Sequence, residues 1–266
     1  VHLHGSMDNR LLADLDCNGW PQSGRNAALA ELRRAHATHL CGDQHLAVAL
    51  KHGIESFRDG PYAFTNPALV NTIYGRWWWP EDEQSGGGAP IPGSLPWTGD
   101  YEDGLGNKIT MLAYANPKYA TGEELRQHRD ARGDGYGLIR FRPETNEVVF
   151  ECWPRFSDPR QGDAQQFTGW PIQFDASEND GREPVAYLPT LRFNRDDPVV
   201  QVVAEDSGEI LYTRRVRGRT FQPPVYSEGK YTIRVGRDGP DAWERKAVEA
   251  KASADEAGEI RVRLGW

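Results

Sequence analysis

The chain of 266 residues carries 28 glycines and 18 prolines, a turn density that argues against a helical bundle. Nine tryptophans, ten tyrosines and nine phenylalanines argue equally against disorder. With 31 Lys and Arg against 39 Asp and Glu, the formal charge of −8 gives nucleic acid or an anionic membrane no bulk attraction, and no apolar run approaches the roughly 20 residues that span a bilayer.

In chain order, Ser23 reads as the N-cap of a helix over residues 24–37, with Leu29 and Leu32 plus Ala28 and Ala35 forming its apolar stripe. Arg25, Glu31, Arg33 and Arg34 fall largely off that stripe. A short apolar strand follows and ends at Gly42, and a second apolar run covers residues 46–50. Helix, strand and then polar residues at the strand's carboxyl end is the arrangement by which layered α/β folds present ligands. Residues 81–106 read as loop from their Gly and Pro content, 108–115 as a strand, and YGLIRFRPETNEVVFECW as a hairpin turning near Thr145 and Asn146. Residues 161–183 are expected to link two domains. Beyond them, PVAYLPTLRF, PVVQVVA, EILYTRRV, KYTIRV and EIRVRL are strands at the spacing of a small β-sandwich, with RKAVEAKAS open between helix and hairpin strand.

Six of the seven histidines, His2, His4, His36, His39, His45 and His52, precede residue 53, so histidine chemistry belongs to the N-terminal part. Its sharpest candidate is Gly42-Asp43-Gln44-His45. A carboxylate and an imidazole two residues apart in an extended loop can point into one cleft, and Gly42 is expected to supply the tight turn. Oxygen and nitrogen donors together suit Fe, Mn, Zn or Ca in two-metal sites that clamp a phosphoryl group.

The block DLDCNGWPQSGRNAALAELRRAHATHLCGDQHLAVALKHG resembles the late segment of the alkaline phosphatase D (PhoD-like) family of calcineurin-like metallophosphoesterases. Asp16, Trp20 and Arg25 match its Asp…Trp…Arg element, and Gly42, Asp43 and His45 match its Gly-Asp-x-His loop. YAFTNPALVNTIYGRWWWP resembles the family's aromatic and Pro-containing segment after the metal loop, and YEDGLGNKITMLAYANP and YGLIRFRPETNEVVFECWPR resemble later stretches of a bacterial subgroup. The resemblance implies an α/β, mostly β fold: residues 1–160 as the C-terminal half of a layered α/β/β/α domain, 161–183 as linker, and 184–266 as a β-sandwich-like domain. It also implies hydrolysis of phosphate mono- or diesters at a binuclear metal centre (Fe, Ca, Mn or Zn). Asp43 and His45 would bind metal, His4 or His2 would be a further ligand, and Arg25 would orient Asp16 or contact substrate. A full two-metal site takes about six protein ligands, so the chain is expected to be the later part of a larger enzyme. Relatives of this kind are usually exported, which implies a periplasmic or extracellular protein.

Plainer readings stand beside these. Packed or solvated roles suit His36, His39 and His52; Trp77, Trp78 and Trp79 suit core or loop anchoring; and Asp100, Glu102 and Asp103 suit a solvated hairpin turn rather than a calcium loop. Arg214, Arg215, Arg217 and Arg219 read as an exposed sheet face, and Cys41 as a buried small hydrophobe. Three cysteines, Cys17, Cys41 and Cys152, leave one disulfide plus a thiol open. The alternative function is a secreted carbohydrate- or partner-binding protein that uses the Trp-rich loop, with the Asp-x-His loop incidental.

Overall fold

The computed structural model describes residues 19–69, 78, 91, 94–103, 105–115, 127 and 133–265. The chain is mostly β and divides into two compact units: residues 1–32 with 37–181, and residues 33–36 with 182–266. No described helix is long and apolar enough to cross a membrane.

The helix α1 spans Gln22–Arg34, of which the first unit includes the residues through Leu32, and it begins two residues before the expected start. Its buried line is Arg25, Leu29 and Arg33, four residues apart, while Ala28 and Ala35 are exposed. Two arginines thus occupy the face that an apolar stripe was expected to fill, because helical spacing sets the side and polar partners there make it habitable. Arg33 and Arg34 close the helix at its negative end. His36 then turns left-handed at φ 50°, with its N–H on Arg33 O and the Ala37 N–H on Leu32 O, which stops the helix short of residue 37.

A five-stranded sheet follows in the order β1-β3-β2-β5-β4, built from His39–Cys41 (β1), Ala47–His52 (β2), Tyr62–Thr65 (β3), Gly99–Glu102 (β4) and Lys108–Ala115 (β5). β1 runs parallel to β3 and the other pairings are antiparallel. β4 lies inside the stretch read as loop. Its sequence, Gly-Asp-Tyr-Glu, has too little alternation to announce a strand, and pairing with β5 defines it. Gly135–Arg142 (β6), Glu147–Pro154 (β7) and Ile172–Asp175 (β8) make a second, three-stranded sheet, with the expected hairpin between β6 and β7.

The larger sheet is buried on both sides, which is why β2 reads as a continuous apolar run. Val48, Leu50, Ile109 and Met111 pack with Trp78 and Tyr101 on one face. Ala47, Ala49, Ala113 and Ala115 meet Phe150, Trp170 and Phe174 on the other. The stretch expected as a linker belongs to this unit through residue 181. Gln166 accepts from the Cys152 N–H, β8 pairs with β7, and buried Asn179 accepts from the Tyr62 N–H while donating to Thr38 Oγ1. Its polar composition reflects side chains used as connectors, not chain left in solvent.

The second unit contains β9–β17. A four-stranded sheet runs β12-β11-β15-β16, from Ile210–Arg215, Val199–Ala204, Lys230–Gly236 and Trp243–Glu249. A three-stranded sheet runs β13-β10-β17, from Thr220–Phe221, Thr190–Phe193 and Glu259–Val262, and Ala186–Tyr187 (β9) pairs with Pro224–Val225 (β14). One apolar cluster draws on all three, from Leu188 and Leu191 through Val200, Val202, Tyr231 and Ile233 to Ile260 and Val262. The ambiguous RKAVEAKAS segment begins in β16, so it is strand and not helix, but it pairs with the preceding β15 and not with β17, which joins β10. Arg215 and Arg219 lie exposed on this unit, Arg219 paired with Asp196 and Arg215 donating to the Asp197 and Arg237 carbonyls.

Candidate functional site

The Gly42–His45 loop leaves the carboxyl end of β1 and returns into β2. Its turn is not made where the sequence pointed. Gly42 does not have a positive φ, and a Cβ placed on it meets nothing within 4 Å. The left-handed positions are instead Asp43 at φ 65° and His45 at φ 57°. Asp and His are among the side chains that tolerate this region best, since a short polar group eases the local crowding.

Between them Gln44 is buried at 5% exposure, whereas Asp43 is exposed and His45 half-buried. The Thr65 hydroxyl on β3 donates to Gln44 Oε1 at 3.3 Å, and Cys41 Sγ lies 3.2 Å from the same hydroxyl. The loop is therefore pegged by its middle residue to the strand that pairs with β1. Burial raises the Cys41 thiol above its ordinary pKa, so it stays protonated.

The donor set fits a metal in chemistry, one carboxylate and one imidazole suiting a borderline cation. Among the described residues no group of three or more His, Cys, Asp or Glu gathers to hold an ion. His2, His4 and Asp16 lie outside the described residues.

Arg25, expected to contact substrate or orient Asp16, is 6% exposed and turned toward protein acceptors. Nη1 donates to Gly53 O and Asn26 Oδ1, both at 2.8 Å, and Nη2 donates to Lys108 O at 3.0 Å and faces His52 Nδ1 at 3.2 Å. Burial draws its pKa down to about 10, against the raising fields of Asp103 and Asp59, so the guanidinium remains charged at neutral pH. His52 is fully buried, and its Nε2 lies 3.3 Å from His39 Nδ1 on β1. Sequence reasoning treated these three residues separately. They come from the helix and two different strands, and no local spacing links them.

The acidic turn after β4 is also more than a solvated hairpin. Asp103 is buried and accepts from the Leu105 and Asn107 N–H groups and from the Asn107 amide, which itself donates to Gly19 O. Asp100 accepts from Arg58 Nε and Thr110 Oγ1. Trp78 is 2% exposed, donates its indole N–H to Trp97 O at 2.8 Å and meets Tyr101 edge-on, as the core reading expects. Trp77 and Trp79 lie outside the described residues. Cys41 and Cys152 are both free thiols. No family model, curated protein or solved structure matches the chain.

Proposed function

We propose that this chain contributes to a metal-dependent phosphoesterase centre of the alkaline phosphatase D-like kind, acting on phosphate mono- or diesters. The observation that carries the reading is the Gly-Asp-Gln-His loop at the end of β1: Gln44 is held inward, and Asp43 and His45 flank it in left-handed conformations. A backbone kept in two sparsely populated conformations within three residues is a feature that clusters at functional sites. Asp43 and His45 are the metal-binding residues in this reading, with His4 a further ligand. A binuclear Fe, Ca, Mn or Zn centre, when bound, supplies a water of lowered pKa and neutralises charge on the phosphoryl oxygens.

The protein's own part is to hold one carboxylate and one imidazole on a short tether with little freedom to lose on binding. Gln44 and Thr65 do this through a buried bond, and the approach of α1 is fixed by Arg25. A substrate-binding part for Arg25 is not carried forward, because its terminal nitrogens are engaged by protein acceptors in a buried setting. The first unit would belong to a layered α/β/β/α domain and the second would be its β-sandwich-like companion, in a protein exported from the cytoplasm.

The test is metal content and hydrolysis of p-nitrophenyl phosphate by the gene product isolated from its natural host, with Asp43→Asn and His45→Asn beside it. Asn is chosen because it accepts the left-handed backbone. The expected result is bound Fe, Ca, Mn or Zn in the natural protein and a loss of turnover by about 100-fold or more in each variant. Metal-free protein, or variants with unchanged hydrolysis, would overturn the reading.

A further inference from the structure

The buried array of Arg25, His52 and His39 admits only one distribution of protons. A guanidinium has donors and no acceptor, so His52 Nδ1 must offer its lone pair to Arg25 Nη2 at 3.2 Å. A neutral His52 then carries its proton on Nε2 and donates it to His39 Nδ1 at 3.3 Å. His39 in turn is left with its own proton on Nε2. A second proton on either ring places two donors face to face, with the buried Arg25 charge behind them.

What the array fastens is short. β1 has three residues, pairs with β3 through His39, Leu40 and Cys41, and is an edge of its sheet. Leu40 is 49% exposed, so apolar burial of the strand falls to Cys41, which packs against the core. The His39 imidazole tied to His52 is the polar link from β1 across to β2 and, through Arg25, to α1. Asp103 from the turn after β4 and Asp59 from the loop before β3 both favour the charge on the guanidinium. Ala63 stands opposite His39 on β3, Thr38 beside it bonds the neutral Asn179 amide, and the neighbouring Cys41 is a neutral thiol.

We propose that Arg25, His52 and His39 form a proton-state lock, which holds β1 and the loop at its carboxyl end against the sheet only while both imidazoles are neutral. The lock is independent of whether the loop binds metal. Burial, with the Arg25 charge acting in the same direction, draws the His39 pKa below an ordinary 6.5. The sign follows from linkage: with the folded value below the open one, the holding contribution is complete above about pH 6.5. It is lost as pH falls from there through the lowered folded value, because the open strand binds the proton first.

The test is amide hydrogen exchange of the metal-free chain between pH 7 and 4.5, corrected for intrinsic exchange. The reporter is Asn66, whose N–H donates to Cys41 O at 2.8 Å, and the control is Ala49 inside the β2 ladder. Protection at Asn66 is expected to fall by about tenfold or more across this range while Ala49 keeps its own. His39→Asn retains an acceptor near the Nδ1 position and cannot take the proton, so its Asn66 protection should stay flat. Imidazole nitrogen NMR of the unaltered chain gives a second readout, with both His39 and His52 expected as Nε2–H tautomers at pH 7. Flat Asn66 protection in the unaltered chain, an equal fall in His39→Asn, or the opposite tautomer at His52 would each overturn the proposal. If the variant fails to fold, the tautomers and the unaltered chain's exchange still decide it.

Discussion

The Thr65 hydroxyl donates to Gln44 Oε1 at 3.3 Å, and through this bond a side chain on β3 determines how the loop after β1 is held. Thr65→Val preserves shape and removes the donor. A buried amide deprived of this bond should cost about 1–3 kcal/mol, measured by equilibrium denaturation. The loop amides of Asp43 and His45 should exchange faster than in the unaltered chain, and unchanged exchange would show that the peg does not restrain them.

Gly42 carries no conformational demand, although its position in the motif looks obligatory. Gly42→Ala meets no atom within 4 Å and no positive φ, so stability should be unchanged or raised by about 0.4–1 kcal/mol through a less flexible unfolded chain. Asp43→Ala should instead lose about 1 kcal/mol from the left-handed backbone alone, and Asp43→Asn much less. Denaturation midpoints of the three variants in one buffer check the order.

Replacing Trp78 tests packing and not a binding platform. With its ring enclosed by the β2 and β5 side chains and its N–H on Trp97 O, Trp78→Ala should destabilise the first unit by about 3–5 kcal/mol. Tyr101 fluorescence and near-ultraviolet circular dichroism would change together with stability. Normal stability in that variant would place the indole outside the core.

Two phenols make the protein sensitive to alkali. Burial pushes Tyr114 up to about 12, where its hydroxyl donates to Pro96 O at 2.8 Å. Burial, reinforced by the Glu178 carboxylate that Tyr62 donates to, raises Tyr62 as well. Because the folded values lie above an ordinary phenol near 10, the stability these groups add is complete below about pH 10. It is lost as pH rises toward about 12. Tyrosinate absorbance should show late-titrating phenols that disappear in Tyr62→Phe and Tyr114→Phe, and the stability of the double variant should fall less steeply above pH 10. Tyr62→Phe keeps its stack on Phe174, 3.8 Å between ring centroids, so packing is retained.

The elements legible in the sequence are those whose signal is local: β5, the β6–β7 hairpin and the longer strands of the second unit alternate or carry turn residues at their ends, whereas β13 and β14, two residues each, are too short to announce themselves. β4 was not legible, because a Gly-Asp-Tyr-Glu strand owes its existence to the partner beside it. The linker expectation failed for a related reason, since Gln166 and Asn179 look solvated in sequence and are buried connectors in space. At the site, Asp43 and His45 stood out by type and spacing. Gln44 did not, because a peg is recognised by what it reaches. Arg25 stands out only as the last member of the Asp…Trp…Arg match, and the helical spacing that joins it to Leu29 and Arg33 directs it inward.

The five-stranded sheet is unequal in bulk across its two faces. Alanines at 47, 49, 113 and 115 accommodate Phe150, Trp170 and Phe174, whereas Val48, Leu50, Ile109 and Met111 fill the opposite side themselves. One strand therefore has two opposite vulnerabilities that alternate residue by residue: enlargement on the alanine side, where the aromatic layer has nowhere to retreat, and excavation on the other. Along β2, single changes are therefore confined in both directions of side-chain size.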